Sequence, residues 1–319
     1  MTRAVVSPPS SVRAQPGVRV DARALLEACK PGITRLVTMT AAWGFVLAAL
    51  QRPWSPKELI LQGTLTILGT ALSAAGANAI NQWMEAPRDA RMDRTRTRPI
   101  PSGRADPATI LWFGLFCAAA GTTLLLGAGL APALISLACI VSYTLVYTPL
   151  KPHTTLATFL GAIPGGLPPL IGYTAASGGG LSTALEPLAL ALLIVMLLWQ
   201  LPHFLAIAWL YRDDYVKGGY AILPAVESDY RITASSMFLW AVAMLPATLL
   251  PAFVAPHLLG VPYVVIASVT GVAYALLCLR LLRTRRREHA RTVFFASILH
   301  LPILMLATCA EAALRTLLA

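Results

Sequence analysis

Four polar residues recur at intervals of four near one end of a long apolar run: Asn81, Glu85, Asp89 and Asp93. Residues four apart share one face of a helix, where like-charged carboxylates repel each other. A divalent cation would reverse that interaction, because Mg²⁺ takes hard oxygen ligands, commonly one or two carboxylates together with phosphate oxygens. We therefore predict that these carboxylates bind Mg²⁺ and that the side-chain oxygen of Asn81 adds a neutral ligand.

In the same segment arginines alternate with the acids, and prolines follow that restrict the backbone. Guanidinium groups suit phosphate oxygens, so metal-binding carboxylates followed by Arg94 and Arg98 suit a pyrophosphate. An ordinary positively charged loop at a membrane surface is the alternative interpretation. Pro87 is expected to kink or end the helix near Ala86, which would place the last two acids on a loop.

A second polar segment follows a later apolar run and contains Arg212, Asp213 and Asp214, with His203 ten residues before Asp213. By itself such a cluster is most often a solvated helix end. Two acidic clusters on one membrane face could instead converge on two metal ions that bridge one diphosphate, with Asp213 and Asp214 as ligands and Arg212 as a phosphate contact. His203 could be a ligand, an acid–base group or a contact to a second substrate; a hydrogen-bonded core histidine is the alternative.

A third polar segment joins two apolar runs and contains Tyr143, Tyr147 and Lys151. Beside two acidic clusters, Lys151 is a candidate diphosphate contact and otherwise an interface anchor. The two tyrosines lie one turn apart and could line a substrate pocket or belong to an aromatic belt. The glycines and prolines of GAIPGGLPPLIGY break the following apolar run, and broken helices at membrane depth tend to line a cavity.

The elements that position these residues are predicted to be membrane-spanning helices. Of 319 residues, 57% are hydrophobic and only 12% are charged, whereas about 25% are charged in a typical soluble protein. The apolar runs are long enough to cross a bilayer core of about 30 Å as helices. We predict an all-α integral membrane protein with a flexible cytoplasmic tail at 1–22 and one nine-helix transmembrane domain at 23–319. The predicted spans are 33–50, 59–84, 108–128, 131–148, 155–176, 187–211, 234–255, 261–280 and 292–315.

Lysine and arginine are distributed unequally between the connecting loops. With the N-terminus in the cytoplasm, 22 of the 25 fall on the cytoplasmic face, as the positive-inside rule requires. This orientation explains the net charge of +11 without a nucleic-acid partner. We expect a multi-pass protein of a bacterial cytoplasmic membrane, or of the mitochondrial inner membrane if the chain is eukaryotic, with the candidate site loops facing the cytoplasm.

These segments resemble the UbiA superfamily of intramembrane prenyltransferases. The resemblance rests on N-x-x-x-E-x-x-x-D-x-x-x-D-R-T-R-x-R-P, YTPLK, GAIPGGLPPLIGY and WQ-x-PHF-x-AIAW-x-YRDDY, which lie between positions 81 and 215. Two features depart from the family pattern: Glu85 stands where Asp is usual, and Pro152 follows Lys151 where Arg is common. The resemblance implies helices bundled around a central cavity, with Mg²⁺ and an isoprenyl diphosphate held between two acidic motifs.

The PHF sequence around His203 is most similar to the branch of the superfamily that prenylates haem. This resemblance implies that farnesyl diphosphate ionises, that a vinyl group of haem b attacks the allylic carbon, and that water adds to the resulting cation to give haem O. It implies Mg²⁺ as the cofactor, the lipid bilayer as the environment, and a haem A synthase or a terminal-oxidase assembly factor as a candidate partner. The catalytic residues predicted on this basis are Asp89, Lys151, His203 and Asp213.

Two other functions stay open at this point. A prenyltransferase for a quinone precursor or a chlorophyll-type ring would keep the same diphosphate site, although many quinone-type relatives carry Asp where His203 stands. A secondary transporter would place ionisable groups near the middle of the membrane, and in this sequence only Glu311 and His300 are expected to lie deep in a span.

Overall fold

A computed structural model describes residues 21–318, and within this range every regular element is a helix. Of the predicted tail at 1–22, residues 1–20 lie outside the described residues. Asp21 caps the first helix by accepting a hydrogen bond from the N–H of Arg23, and Ala22 is the first residue of that helix.

The helices are α1 (Ala22–Ala28), α2 (Pro31–Ala49), α3 (Pro56–Asp89), α4 (Pro107–Ala128), α5 (Leu130–Leu150), α6 (Ala157–Gly166), α7 (Pro168–Ala176), α8 (Pro187–Leu210), α9 (Arg212–Lys217), α10 (Leu223–Val226), α11 (Arg231–Val254), α12 (Val261–Thr284) and α13 (Arg287–Leu318). A 3₁₀ turn, Leu181–Leu185, joins α7 to α8. Eight of these helices are long and apolar enough to cross a membrane: α2, α3, α4, α5, α8, α11, α12 and α13. The all-α membrane architecture predicted from composition is therefore confirmed for the described residues.

The predicted span 155–176 is not one continuous helix. It is made of α6 and α7, of 10 and 9 residues, which meet at Leu167. Each is roughly 15 Å long at 1.5 Å per residue, about half of an apolar bilayer core. Pro168 and Pro169 lack backbone donors and disfavour helical geometry in the residue before them, which explains the break. The count of nine crossings holds only if this pair is taken as one broken span.

Polar caps and prolines fix where several spanning helices begin. Proline occupies the first position of α2, α3, α4 and α8, where its missing N–H costs nothing. The Ser55 hydroxyl accepts from the N–H of Glu58 at 3.2 Å, and the Asp106 carboxylate accepts from the N–H of Thr109 at 3.0 Å. These caps fix the starts of α3 and α4, the helices on either side of the charged segment.

Small residues let neighbouring spans approach closely. A Cβ on Gly172 of α7 would lie 1.7 Å from the carbonyl oxygen of Ala41 in α2, and one on Gly76 of α3 would lie 2.4 Å from the backbone nitrogen of Ala118 in α4. Without a hydrophobic driving force between helices in lipid, such backbone contact is a main source of helix association. The broken helix is thus held against α2 by a position that only glycine fits.

Replacing Gly172 by alanine should therefore separate α7 from α2. We expect Gly172→Ala to lower the free energy of unfolding by about 1–3 kcal/mol, the usual cost of overpacking, and to lower the thermal unfolding midpoint in detergent. Gly32→Ala is the matched control, because nothing lies within 4 Å of a Cβ at that position. Equal midpoints for the two variants would contradict the close contact.

Candidate functional site

A cavity of about 370 Å³ lies among α2, α3, α5, α6, α7 and α8. Its walls are mainly apolar. The acidic and basic residues that line it, apart from a histidine, are Lys30, Glu85, Asp89, Arg94, Arg98 and Lys151. They all lie near the end of α3 or in the segments that precede α2 and follow α3 and α5. We call this group of six the charged end of the cavity.

The two acids of the charged end lie on one face of α3. Glu85 and Asp89 are one turn apart, and both are buried. From the sequence, Pro87 is expected to kink or end the helix near Ala86; the helix does not end there, since α3 continues to Asp89, whereas Asp93 does lie beyond the helix. Pro87 removes one backbone donor, the one that would pair with the carbonyl of the residue four positions earlier, and only two helical residues follow it. The sequence spacing therefore does place the two carboxylates side by side.

Each buried carboxylate carries an ion pair to a cation from another segment. Lys151 Nζ lies 2.8 Å from Glu85 Oε1, and Arg98 Nη1 lies 2.6 Å from Asp89 Oδ2. Burial is the largest single influence on the pKa of Lys151 and lowers it, but the Glu85 carboxylate and the neighbouring tyrosines together outweigh burial and hold that pKa well above its usual value. Both pairs fix the positions of cations that also line the cavity.

The remaining two cations of the charged end, Lys30 and Arg94, have no ion-pair partner within residues 21–318. The Arg94 guanidinium instead lies over the rings of Tyr211 and Tyr215, 4.7 and 5.7 Å from their centroids. The charged end therefore holds four cations and two acids. An electropositive concave site of this kind attracts and binds anions.

Lys30 is a site residue that sequence reasoning missed. Its backbone is left-handed, with φ 48° and ψ 69°, a conformation that costs roughly 1–2 kcal/mol for a residue with a Cβ. Its ammonium donates to Asn81 Oδ1 at 2.5 Å. Burial lowers the pKa of Lys30 to about 7, and the Arg98 guanidinium acts in the same direction. The sequence shows only a Lys before Pro-Gly at a helix start, which does not indicate that the side chain turns inward.

Asn81 lies behind the charged end and is fully buried. Besides accepting from Lys30, it donates to the hydroxyl of Thr148 at 2.8 Å, and Thr148 donates to the carbonyl of Tyr143 at 2.8 Å. The acceptor of this last bond, the carbonyl of Tyr143, lies in a π-helical stretch of α5, Ser142–Tyr147. Such bulges are frequent at functional sites because they reorient side chains within a helix.

The π-helical stretch carries the two predicted pocket tyrosines. Tyr143 and Tyr147 both line the cavity, and their rings stack with centroids 5.8 Å apart. The ring of Tyr147 packs against Gly161 of α6, where a Cβ would lie 2.5 Å from it. The Lys151 ammonium lies 4.5 Å from the centroid of the same ring. The predicted pocket role of both tyrosines fits these positions, as does that of His203, which lines the cavity from α8.

The second acidic cluster does not reach the cavity in this structure. Asp213 is directed outward, with 90% of its side chain exposed. Asp214 accepts the backbone N–H of Asp93 at 2.8 Å, and Lys217 pairs with Asp93 at 2.5 Å. The two acidic segments therefore do meet, as expected from the sequence, but through these surface contacts. The Lys217 ammonium holds the pKa of Asp93 below its ordinary value.

Arg212 also turns away from the cavity. Its Nε donates to the carbonyl of Pro224 at 3.0 Å, and its guanidinium lies over Tyr230. The physical reason is a break at Tyr211, where α8 ends with φ −111° and ψ 28° and α9 restarts in a new direction. His203 and Asp213, ten residues apart in the sequence, therefore do not lie on one continuous helix.

Within the described residues, no three His, Cys, Asp or Glu side chains converge as a ready metal site. The charged end supplies two carboxylates together with a surplus of cations, and the buried amide of Asn81 lies behind it. That arrangement suits an anion accompanied by a divalent ion better than a metal held by protein alone, because Mg²⁺ usually completes its shell with phosphate oxygens and water.

Removing one member of a buried ion pair should be costly. We expect Lys151→Met to lower the free energy of unfolding by about 3–5 kcal/mol, because it strands the buried Glu85 carboxylate. Adding Glu85→Gln to that variant should recover part of the loss. The control is Lys217→Met, which breaks a pair with both side chains more than half exposed and should change little. Thermal unfolding in detergent measures all three, and equal effects of the two lysine substitutions would contradict the burial of the pair.

The sequence pattern of the UbiA prenyltransferase family matches residues 37–299. The chain is 38% identical to the protoheme IX farnesyltransferase of Solibacter usitatus, over 88% of this chain and 96% of that protein. It is 39% identical to a protein of the same name from Anaeromyxobacter sp., over 93% of this chain and 96% of that protein.

Solved structures share the fold at low sequence identity. A digeranylgeranylglyceryl phosphate synthase superposes with a TM-score of 0.73 at 18% identity, over 91% of this chain and 98% of that one. A UbiA homologue from Archaeoglobus fulgidus bound to GPP and Mg²⁺ superposes with a TM-score of 0.63 at 13% identity, over 91% of this chain and 99% of that one. Since the family pattern covers most of the chain and the curated relatives align over nearly their whole length, this protein belongs to the UbiA prenyltransferase family.

Proposed function

We propose that this protein transfers the farnesyl group of farnesyl diphosphate to a vinyl group of haem b, with addition of water, to give haem O and diphosphate. The observation that carries the proposal is the surplus of positive charge at one end of an otherwise apolar cavity. The identity of the two substrates is supported by the relatives named protoheme IX farnesyltransferase.

The diphosphate binds at the charged end. Lys30 and Arg94 line the cavity without an acid partner among the described residues, so both are available to bind the anion. Arg98 and Lys151 line the cavity as well as pairing with the acids, so both can donate to phosphate oxygens. A guanidinium can hold two such oxygens at once. Arg212, the other predicted phosphate contact, lies outside this group.

Mg²⁺ fits the acids of the charged end. Glu85 and Asp89 each engage their cation through one carboxylate oxygen, and Asn81 places an amide oxygen one turn earlier on α3. The Archaeoglobus homologue of the same fold was solved with Mg²⁺ and GPP. When bound, Mg²⁺ would neutralise charge that develops on the departing diphosphate. Asp93, Asp213 and Asp214 are the other ligands proposed for the substrate-bound site; Asp214 already contacts the segment that carries Arg94 to the cavity.

The chain's own residues contribute mainly electrostatics and exclusion of water. Cations fixed by buried ion pairs stabilise the leaving group without having to reorganise during the reaction. The apolar walls keep water away from the allylic cation until the vinyl group has reacted. Tyr143 and Tyr147 add electron-rich rings to the cavity wall, and such rings favour a cation nearby.

The orientation that places the charged end at the cytoplasmic face follows from the loop charges. The segment 86–107 alone carries six of the 25 lysines and arginines, and it contributes Asp89, Arg94 and Arg98 to the cavity. Positive loops stay on the cytoplasmic side. We propose a bacterial cytoplasmic membrane, where farnesyl diphosphate would enter from the cytoplasm.

The reaction can be tested with purified protein in detergent, haem b, farnesyl diphosphate and Mg²⁺, followed by mass spectrometry of the porphyrin. A product heavier by one farnesyl group plus water is expected. If haem is unchanged but diphosphate is released in a Mg²⁺-dependent way when a quinone precursor is added, the assignment of haem b as acceptor is wrong. The assignment of the diphosphate site would still stand.

Asp89→Asn should lower haem O formation by about 100-fold or more, because mutational losses of a single charge-stabilising group reach about 10²–10³ in kcat. The change leaves Arg98 without its acid, so some loss of stability is expected, but Arg98 is 25% exposed and water can compensate part of it. Turnover is therefore compared at a temperature at which the variant is shown to be folded. Asp229→Asn is the control: it removes an exposed carboxylate, paired with Arg285 outside the cavity. Near-normal turnover of Asp89→Asn would refute its role in the diphosphate site.

A further inference from the structure

The imidazole of His203 is held rigidly at the cavity wall. Its ring stacks with Trp199 one turn earlier on α8, with centroids 4.9 Å apart and planes 18° from parallel, and with Phe294 of α13 at 5.3 Å and 23°. Its Nδ1 lies 2.7 Å from the hydroxyl oxygen of Ser297. The ring therefore has one orientation, with one nitrogen committed to α13.

The hydrogen bonds of Ser297 determine which ring nitrogen of His203 carries the proton. The Ser297 hydroxyl lies 2.6 Å from the carbonyl oxygen of Phe294, which can only accept. A hydroxyl has one hydrogen, and a contact that short between two oxygens is repulsive unless a hydrogen lies between them. Ser297 must therefore donate to Phe294, so its lone pair accepts from Nδ1–H of His203.

This tautomer leaves Nε2 of His203 as a lone-pair acceptor. Within residues 21–318 Nε2 makes no hydrogen bond, and it is not among the side-chain nitrogens and oxygens sealed from solvent. The ring that carries it lines the cavity. A neutral imidazole whose Nδ1–H is tied to a fixed acceptor is the arrangement used for a general base.

Ser297 is itself fixed. It is fully buried in α13, and its carbonyl accepts the indole N–H of Trp199 at 2.8 Å. The same tryptophan stacks on His203, so two residues of α8 are tied to one residue of α13. His300, one turn further along α13, shows the contrast: it is buried, its two ring nitrogens have no hydrogen-bond partner in the described chain, and it does not line the cavity.

We propose that Ser297 is a positioning residue that holds His203 as the Nδ1–H tautomer, so that Nε2 can accept the proton of the water that adds to the prenylated haem. This role rests on the proposed function. The vinyl π electrons form the new carbon–carbon bond to the allylic carbon, as the carbon–oxygen bond to diphosphate breaks and its electron pair leaves with the phosphate. Water oxygen then bonds to the cationic former vinyl carbon, and its proton moves to Nε2. The imidazolium returns that proton to solvent when product leaves.

The tautomer can be measured without substrate. Nitrogen-15 NMR of the full chain in detergent, labelled at histidine, distinguishes protonated from unprotonated ring nitrogens, and His203→Asn identifies the signals. We expect Nδ1–H in the parent and a shift toward Nε2–H in Ser297→Ala. Ser136→Ala is the matched control, because Ser136 is also buried at the cavity wall but its hydroxyl has no hydrogen-bond partner in the described chain. An Nε2–H parent, or no change in Ser297→Ala, would overturn the positioning role.

Activity provides the second readout. Ser297→Ala should lower the haem O formed per diphosphate released by about tenfold or more. This is less than the contribution of about 10²–10⁴ expected of a whole general base, because the imidazole itself remains. Ser297→Thr keeps the hydroxyl and should retain most of the activity. A parental ratio in folded Ser297→Ala would refute the base assignment. If the parent shows the Nδ1–H tautomer but converts no haem, the proposed function fails and the tautomer assignment stands.

Discussion

Two carboxylates buried near one end of a membrane protein must be neutralised, and this constraint organises the charged end of the cavity. An unpaired charge removed from water costs several kcal/mol, so Glu85 and Asp89 each require a cation from another segment. Lys151 and Arg98 meet that need. The same pairs draw the end of α5 and the segment after α3 together over the cavity. The two further cations make the site electropositive, which is the property that selects an anionic substrate.

The helices around this site are irregular where they face it. In a regular spanning helix the backbone N–H and C=O groups form hydrogen bonds with each other. Irregular backbone at membrane depth is tolerated only where it borders a cavity or is buried within protein. The break at Leu167 and the π-helical stretch Ser142–Tyr147 both border the cavity. Gly172 keeps the broken helix in place by close contact with α2. A shaped apolar chamber is thus built from local departures in an otherwise regular bundle.

Much of this architecture could be predicted from the sequence, and the failures have physical causes. Apolar runs located the spans, and spacing by four placed Glu85 beside Asp89 because helical periodicity is local. Lys30 could not be predicted as a site residue, because the inward orientation of its side chain depends on a left-handed backbone and on a hydrogen bond to Asn81, which is 51 positions away. The prediction of Asp213 and Arg212 at the site fails in this structure because α8 ends before them, at Tyr211, and local sequence does not reveal that break. Ser297 carries no local signal, since its role exists only through contact with another helix.

The most direct test of charge-driven binding is isothermal titration calorimetry of the detergent-solubilised protein with a non-hydrolysable farnesyl thiodiphosphate, with and without Mg²⁺. An electropositive site with two metal-binding carboxylates predicts binding that strengthens with Mg²⁺, weakens as salt is raised, and is displaced by inorganic pyrophosphate. Binding that is indifferent to Mg²⁺ and pyrophosphate would mean that the apolar chain alone is recognised, and it would contradict the assignment of the charged end as the diphosphate site.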